Sequence, residues 1–316
     1  MIARRTLGAA LAGIAALAAV TTVAPSPAQA ADDWRKQVPV FRVGILGGEN
    51  EADRLKNYAC FKDIMSERLG IPVELYPASD YAGVMQGLIS KNLEYAGLGS
   101  AGYAGIHVQD PEAVEPLLTT QQIDDSTGYY SVLYVRADSP YKTLEDLKGK
   151  SLAFADPNST SGYLVPAFEL KENGFKPDEF FGRTGFAGGH EQGVVAVLNN
   201  QYDAGVTWTS GVGDYNKGYS AGNLAKMVEK GALDMKDIRI LWTSSLISNG
   251  PNVVRKDLPQ ELKDIVRGVL VAMPIENRAC FEKTEGGKVK AFVPVSHKFY
   301  EPIIKMRLEA QQSRRG

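Results

Sequence analysis

Ser159, His190 and Asp203 are the residues from which a hydrolase would be built: a hydroxyl nucleophile, an imidazole base and an acid to orient it. The surroundings argue against that use. A nucleophile elbow needs Gly-x-Ser-x-Gly, and the chain reads Asn158-Ser159-Thr160-Ser161-Gly162 instead. Gly44-Ile45-Leu46-Gly47-Gly48 follows a strand-like run but has neither the spacing of a dinucleotide fingerprint nor the Gly-Lys-Ser/Thr of a phosphate-binding loop. His107, His190 and His297 are scattered, and no Cys or His pair has metal-ligand spacing, so neither a metal nor a cofactor is expected. What remains is the triplet Ser159-Thr160-Ser161, placed between the apolar run Ser151–Ala155 and an apolar-periodic segment that ends at Asn173-Gly174. Three hydroxyls at a helix start suit an anion, because the first turn leaves backbone N–H groups unpaired and carries partial positive charge. The same residues also make an ordinary cap, so the stretch alone leaves both readings open.

The elements around this triplet alternate. A β-branched run from Val40 ends in Gly47-Gly48, and an amphipathic helix over 49–69 closes at Gly70. A strand over 71–76 follows, then Asp80 caps a helix over 81–90, and a short strand spans 93–98. Further on, Gly188-Gly189-His190 opens a helix to Asn199, and 202–208 reads as a strand. Such alternation predicts an α/β fold with mainly parallel sheets, in which ligands meet helix starts at the carboxyl ends of strands. The long β-rich stretches 129–136 and 238–243 are expected to be two strands crossing between lobes. Lobe 1 would then hold 31–128 and 245–316, and lobe 2 would hold 129–244.

Residues 1–30 have a basic start at Arg4-Arg5, an apolar stretch from Leu7 to Val23 and the small-x-small ending Ala28-Gln29-Ala30, the pattern of a cleaved signal peptide. Export to the periplasm is therefore expected, without a lipid anchor, since no Cys stands at the cleavage point. Removing that leader takes two of the 35 basic side chains and none of the 37 acidic ones, leaving a formal charge of −4 on 286 residues. Weak acidity excludes nucleic acid as a partner, and this length suits two lobes. Cys60 and Cys280 are free to pair in an oxidising compartment, but spacing leaves the pairing and the oligomeric state open.

From about Phe41 to Gln311 the chain resembles the periplasmic phosphonate-binding proteins of ABC importers. The resemblance rests on Asp80-Tyr81-Ala82-Gly83-Val84, Gly128-Tyr129-Tyr130-Ser131-Val132, Asp156 to Pro166, and Gly189-His190-Glu191. It implies a two-lobed, type II-like periplasmic binding protein of two mixed sheets joined by two crossing strands, which is not an enzyme. It further implies a phosphonate or related phosphorus oxyanion (phosphite, methylphosphonate, phosphate) as ligand, and a membrane permease as partner. Ser159, Thr160, Ser161 and His190 would hold the oxyanion, Tyr81 and Tyr129 would wall the cleft, and Trp208 would close over the substituent. Tyr130, on the opposite face of its strand, is expected in the core. The family's aminophosphonate binders place acids where this chain has Ser210 and the segment Ile247–Pro251, so a cationic tail is expected to lack a counter-ion. Other readings are a binding protein for another small anion (sulfate or a carboxylate) and, less well supported, the serine hydrolase.

Overall fold

The computed structural model describes residues 33–312, and the expected signal peptide lies outside them. Twelve strands build two sheets. The first runs in the order β12 (Ala291–Pro294), β4 (Val114–Gln121), β11 (Pro251–Arg255), β3 (Tyr95–Gly97), β1 (Phe41–Ile45), β2 (Val73–Pro77). The second runs β10 (Ile247–Ser248), β5 (Gly128–Arg136), β8 (Ala204–Thr209), β6 (Ser151–Phe154), β7 (Arg183–Phe186), with β9 (Ile238–Thr243) also paired to β5.

Parallel pairing joins β1 to β2 and β3, and β6 to β7 and β8. The expectation of mainly parallel sheets fails elsewhere: β4, β11 and β12, and β5 with β8, β9 and β10, pair antiparallel. Parallel neighbours need a helical crossover, which only the βα segments provide, whereas the segments that leave and re-enter each sheet run the other way. The expected crossing strands are also corrected. Both 129–136 and 238–243 belong wholly to the second sheet, and the chain changes sheet in the short stretches 122–127 and Asn249-Gly250. Asn249 ties the two stretches together and to the end of β4: its N donates to Thr127 O (2.9 Å), its Nδ2 to Thr120 O (2.8 Å), and Thr119 Oγ1 donates to its O (3.1 Å). Gly250 is required there, since a Cβ would stand 1.7 Å from the Leu98 carbonyl oxygen.

Helices cover both faces of each sheet. Phe41, Val43, Phe61, Met65, Leu262 and Val266 pack one face of the first sheet, and Val84, Leu88, Ala104, Ile106 and Ile303 the other. The helix Glu51–Leu69 is capped by Asn50, whose side chain accepts from Asp53 N at 3.2 Å, and ends at Gly70 in the left-handed region. It starts two residues later than expected, which leaves Glu49 in the loop ahead of the cap. Cys60 on this helix and Cys280 on the helix Arg278–Glu285 form a disulfide across 220 residues of sequence. Closing so long a loop stabilises by about 3 to 5 kcal/mol. Chemical unfolding with reductant is expected to show a loss of that size, and coincident curves with and without reductant would refute it.

Candidate functional site

One cavity of about 230 Å³ collects all seven residues singled out in the sequence: Ser159, Thr160, Ser161, His190, Tyr81, Tyr129 and Trp208. The triplet opens a π-turn, Thr160–Leu164, in which Leu164 N bonds to Ser159 O (3.0 Å). Wide turns of this kind gather at functional sites. Ser159 is the cap, its Oγ accepting from Gly162 N at 2.9 Å. Thr160 Oγ1 accepts from Ala101 N (2.9 Å), at the start of the helix Ser100–Gln109 of the first sheet. Tyr81 N donates to Asp156 Oδ2 (3.3 Å), a second bond between the two halves of the cavity wall. The backbone oxygen of Ser161 is occupied by Ser131 Oγ (2.7 Å).

His190 opens the helix His190–Leu198 and is 6% exposed. Its Nε2 lies 3.1 Å from Ser159 Oγ, and its Nδ1 lies 3.3 Å from Thr207 Oγ1. Thr207 Oγ1 in turn accepts from Asn223 Nδ2 at 3.0 Å, which fixes the hydroxyl behind the imidazole. Ser159 Oγ also accepts from Gly162 N and is hydrogen-bonded to Tyr81, so it is held between the imidazole and the cavity. Burial lowers the His190 pKa to about 4, with Glu49 opposing, so the ring is neutral at physiological pH. His190, expected as a ligand contact, lines the cavity and is also held against Ser159 Oγ. Tyr129 is pushed above the ordinary phenol range by burial, which the hydroxyls of Ser161 and Thr160 oppose, and Tyr81 is raised by burial and by Asp156. Both phenols are thus protonated donors. Trp208 stands edge-on to Tyr129 (5.6 Å between centroids).

Asp203 is absent from this wall. It accepts from Ser151 N (2.9 Å), Ser151 Oγ (2.7 Å) and Tyr141 Oη (3.0 Å), a structural role that ties together the starts of β8 and β6. Tyr130 is half-buried rather than core, and Ser210 bonds to Ser220 and does not line the cavity.

Sequence reasoning missed five further residues that line the cavity: Glu49, Tyr58, Thr120, Lys226 and Glu285. Acids absent at Ser210 and 247–251 thus stand in the cavity lining at Glu49 and Glu285, so those two acid-free positions do not by themselves exclude a counter-ion for a cationic tail. Glu49 and Lys226 form an ion pair, with the Lys226 ammonium 5.9 Å from the Trp208 ring centre. Burial opposes the Glu49 charge, but Lys226 outweighs it and holds Glu49 below the usual carboxylate range. Glu285 accepts a hydrogen bond from Thr120 Oγ1, and burial raises its pKa to about 7. One signal pointed here: the disulfide, had it been known, joins the helix bearing Tyr58 to the helix bearing Glu285. Among the described residues no helix is long and apolar enough to cross a membrane, and no group of three metal-binding side chains gathers.

Residues 43–300 match the model of a family described as ABC transporter, phosphonate, periplasmic substrate-binding protein. The phosphonates-binding periplasmic protein of Escherichia coli K12 is 33% identical over 243 residues, which are 76% of this chain and 66% of that protein, about two thirds of its length. The crystal structure of a binding component of a Pseudomonas aeruginosa ABC phosphonate transporter superposes with a TM-score of 0.74 at 27% identity, covering 86% of this chain and 87% of that one. A Prochlorococcus marinus protein solved with methylphosphonate has the same fold, with a TM-score of 0.70 at 20% identity over 86% of this chain and 98% of that one.

Proposed function

The chain belongs to the family of periplasmic substrate-binding proteins of phosphonate ABC transporters, and from that premise we propose that it captures a phosphorus oxyanion between its two lobes and delivers it to a membrane permease. The observation that carries this reading is the convergence of Ser159, Thr160, Tyr81 and Tyr129 on one cavity with a neutral imidazole behind Ser159. A buried oxyanion left unpaired costs several kcal/mol, and only several fixed donors offset that. Each charge-assisted bond contributes about 1.5 to 3 kcal/mol. The lobe limits 31–128 with 245–316, and 129–244, are part of this proposal; strand membership supports them apart from β10, which pairs with the second sheet. The hydrolase reading gains no support, since His190 Nδ1 meets a threonine where a triad needs a carboxylate.

Calorimetry and thermal unfolding of the purified protein with phosphite, phosphate, methylphosphonate and sulfate test the proposal. A phosphorus oxyanion at 100 times its dissociation constant is expected to stabilise the fold by about 2.7 kcal/mol. If sulfate alone shifts the transition, the site belongs to a different anion.

A further inference from the structure

The helix Glu301–Gln312 packs on the helix Ser100–Gln109, with Ile303 and Ile304 joining Tyr103, Ala104 and Ile106 in one apolar cluster against the first sheet. Arg307 on the same helix points elsewhere. It reaches the loop that follows β6 of the second sheet, where its Nη2 donates to Asn158 Oδ1 at 2.7 Å. Gly105, on the helix Ser100–Gln109, keeps that path open, since a Cβ there would stand 3.0 Å from Arg307 Nη2 and 3.1 Å from its Cζ. Ordering so long a side chain costs rotamer entropy, which the half-buried guanidinium offsets through a bond fixed on Asn158. That acceptor matters because Asn158 directly precedes the hydroxyl triplet. Asn158 N donates to Asp156 Oδ1 (2.7 Å), and Asp156 Oδ2 accepts from Tyr81 N (3.3 Å). Burial pushes the Asp156 carboxyl up; these two N–H groups and the Arg307 charge oppose it, and Asp80 adds to the rise. Two residues after Asn158, Thr160 Oγ1 accepts from Ala101 N. Tyr81, Ala101 and Arg307, all on helices of the first sheet, therefore hold the loop from Asp156 to Thr160.

Resting on the oxyanion reading above, we propose that Arg307 is a positioning residue for the oxyanion loop: by fixing Asn158 it holds the hydroxyl triplet of the second sheet against the donors of the first. Neither Arg307 nor Asn158 lines the cavity, so the effect passes through the loop and not through contact with ligand. Ser159 and Thr160 are the next two residues of the chain. A drift of about 1 Å in the loop takes their hydroxyls out of hydrogen-bond range of an anion that Tyr81 holds from the other sheet. The Arg307 bond exists only while the loop lies on the helices of the first sheet, which is the arrangement that binds. Its loss therefore shortens the life of the bound state and leaves the encounter with ligand unchanged. A lysine at this position keeps the charge and most of the reach but not the planar set of donors, so it restores the contact in part.

The test is calorimetry and stopped-flow kinetics with methylphosphonate, phosphite and phosphate on wild type, Arg307→Met, Arg307→Lys, Asn158→Ala and the double variant Arg307→Met with Asn158→Ala. Arg307→Met is expected to raise the dissociation constant about tenfold, carried by the dissociation rate, with the association rate within about twofold of wild type. Arg307→Lys is expected to recover part of that loss. Asn158→Ala is expected to match Arg307→Met, and the double variant to bind no more weakly than the weaker single one, because both substitutions break the same bond. Asn158→Ala leaves the C-terminal helix untouched and provides the test should Arg307→Met not fold. Single variants that melt lower but bind within about twofold of wild type overturn the positioning role and leave Arg307 a structural residue. Losses that multiply in the double variant overturn it as well, since the two residues then act separately. Failure of wild type to bind any of the three anions overturns the oxyanion reading and this inference together.

Discussion

Ser159→Ala is expected to raise the dissociation constant for a phosphorus oxyanion by about 10- to 100-fold, the equivalent of one charge-assisted hydrogen bond of about 1.5 to 3 kcal/mol. The size follows from the place of Ser159 at the end of the hydrogen-bonded chain Asn223, Thr207, His190, Ser159, which fixes its hydroxyl at the cavity wall. Alanine removes that hydroxyl and leaves His190 Nε2 without its partner. The cap on Gly162 N is lost as well, so stability falls by about 1 kcal/mol. A thermal scan separates that small loss from the binding loss read by calorimetry. The pH dependence discriminates further. His190 is a base whose pKa is depressed by burial, so its native state stays unprotonated while the unfolded chain takes up a proton below about 6.5. Its contribution to stability is therefore full above that pH and lost as pH falls toward about 4. Above that window the hydrogen-bonded chain is unchanged, and the binding penalty of Ser159→Ala is expected to stay level between about pH 6.5 and 8.5. An affinity within about twofold of wild type would return Ser159 to the role of a plain helix cap.

Much of this cavity was legible in the sequence, because the residues proposed to recognise the oxyanion sit at element boundaries that local chemistry marks. Asp80, Ser159 and Gly189 each precede a helix, and hydroxyl or glycine residues there signal a start whatever the tertiary fold. The alternation of strands and helices likewise announced an α/β architecture. What stayed hidden depends on contacts distant in the chain. Glu285 meets Thr120 across 165 residues, and Lys226 meets Glu49 across 177, with no periodicity or spacing to connect either pair. Pairing direction was misread for a related reason: β5 has a strongly apolar run that fits a crossing strand, yet what sets its direction is its partners β8, β9 and β10. Asp203, set aside in the sequence as the acid of a hydrolase, has its carboxylate used by Ser151 and Tyr141.

Gly189→Ala is expected to weaken ligand binding by about 10- to 100-fold through a contact that no ligand touches. Gly189 follows β7 in the second sheet and Gly48 follows β1 in the first, and their backbones meet at the mouth of the cavity. A Cβ at position 189 would stand 2.2 Å from Gly48 Cα and 2.4 Å from Gly48 O, backbone atoms that no rotamer change can move. The two lips must then separate, and the donors of Ser159 and Tyr81, which belong to opposite sheets, separate with them. Around the same mouth Lys226 pairs with Glu49, and Lys230 with Asp53 and Glu191, both at 2.9 Å. Lys230 is partly exposed, so Lys230→Ala is expected to cost about 1 kcal/mol or less in closure, against the larger steric cost at Gly189. Ligand-free thermal stability of Gly189→Ala is expected to stay near that of wild type, because the clash arises only when the lips meet. A melting point that drops along with affinity would locate the damage in the fold, whereas unchanged affinity would mean that the ligand-bound form does not need this contact. The glycines flanking the site are thus expected to act on affinity through approach, since an anion held by donors from both sheets requires both to be presented at once.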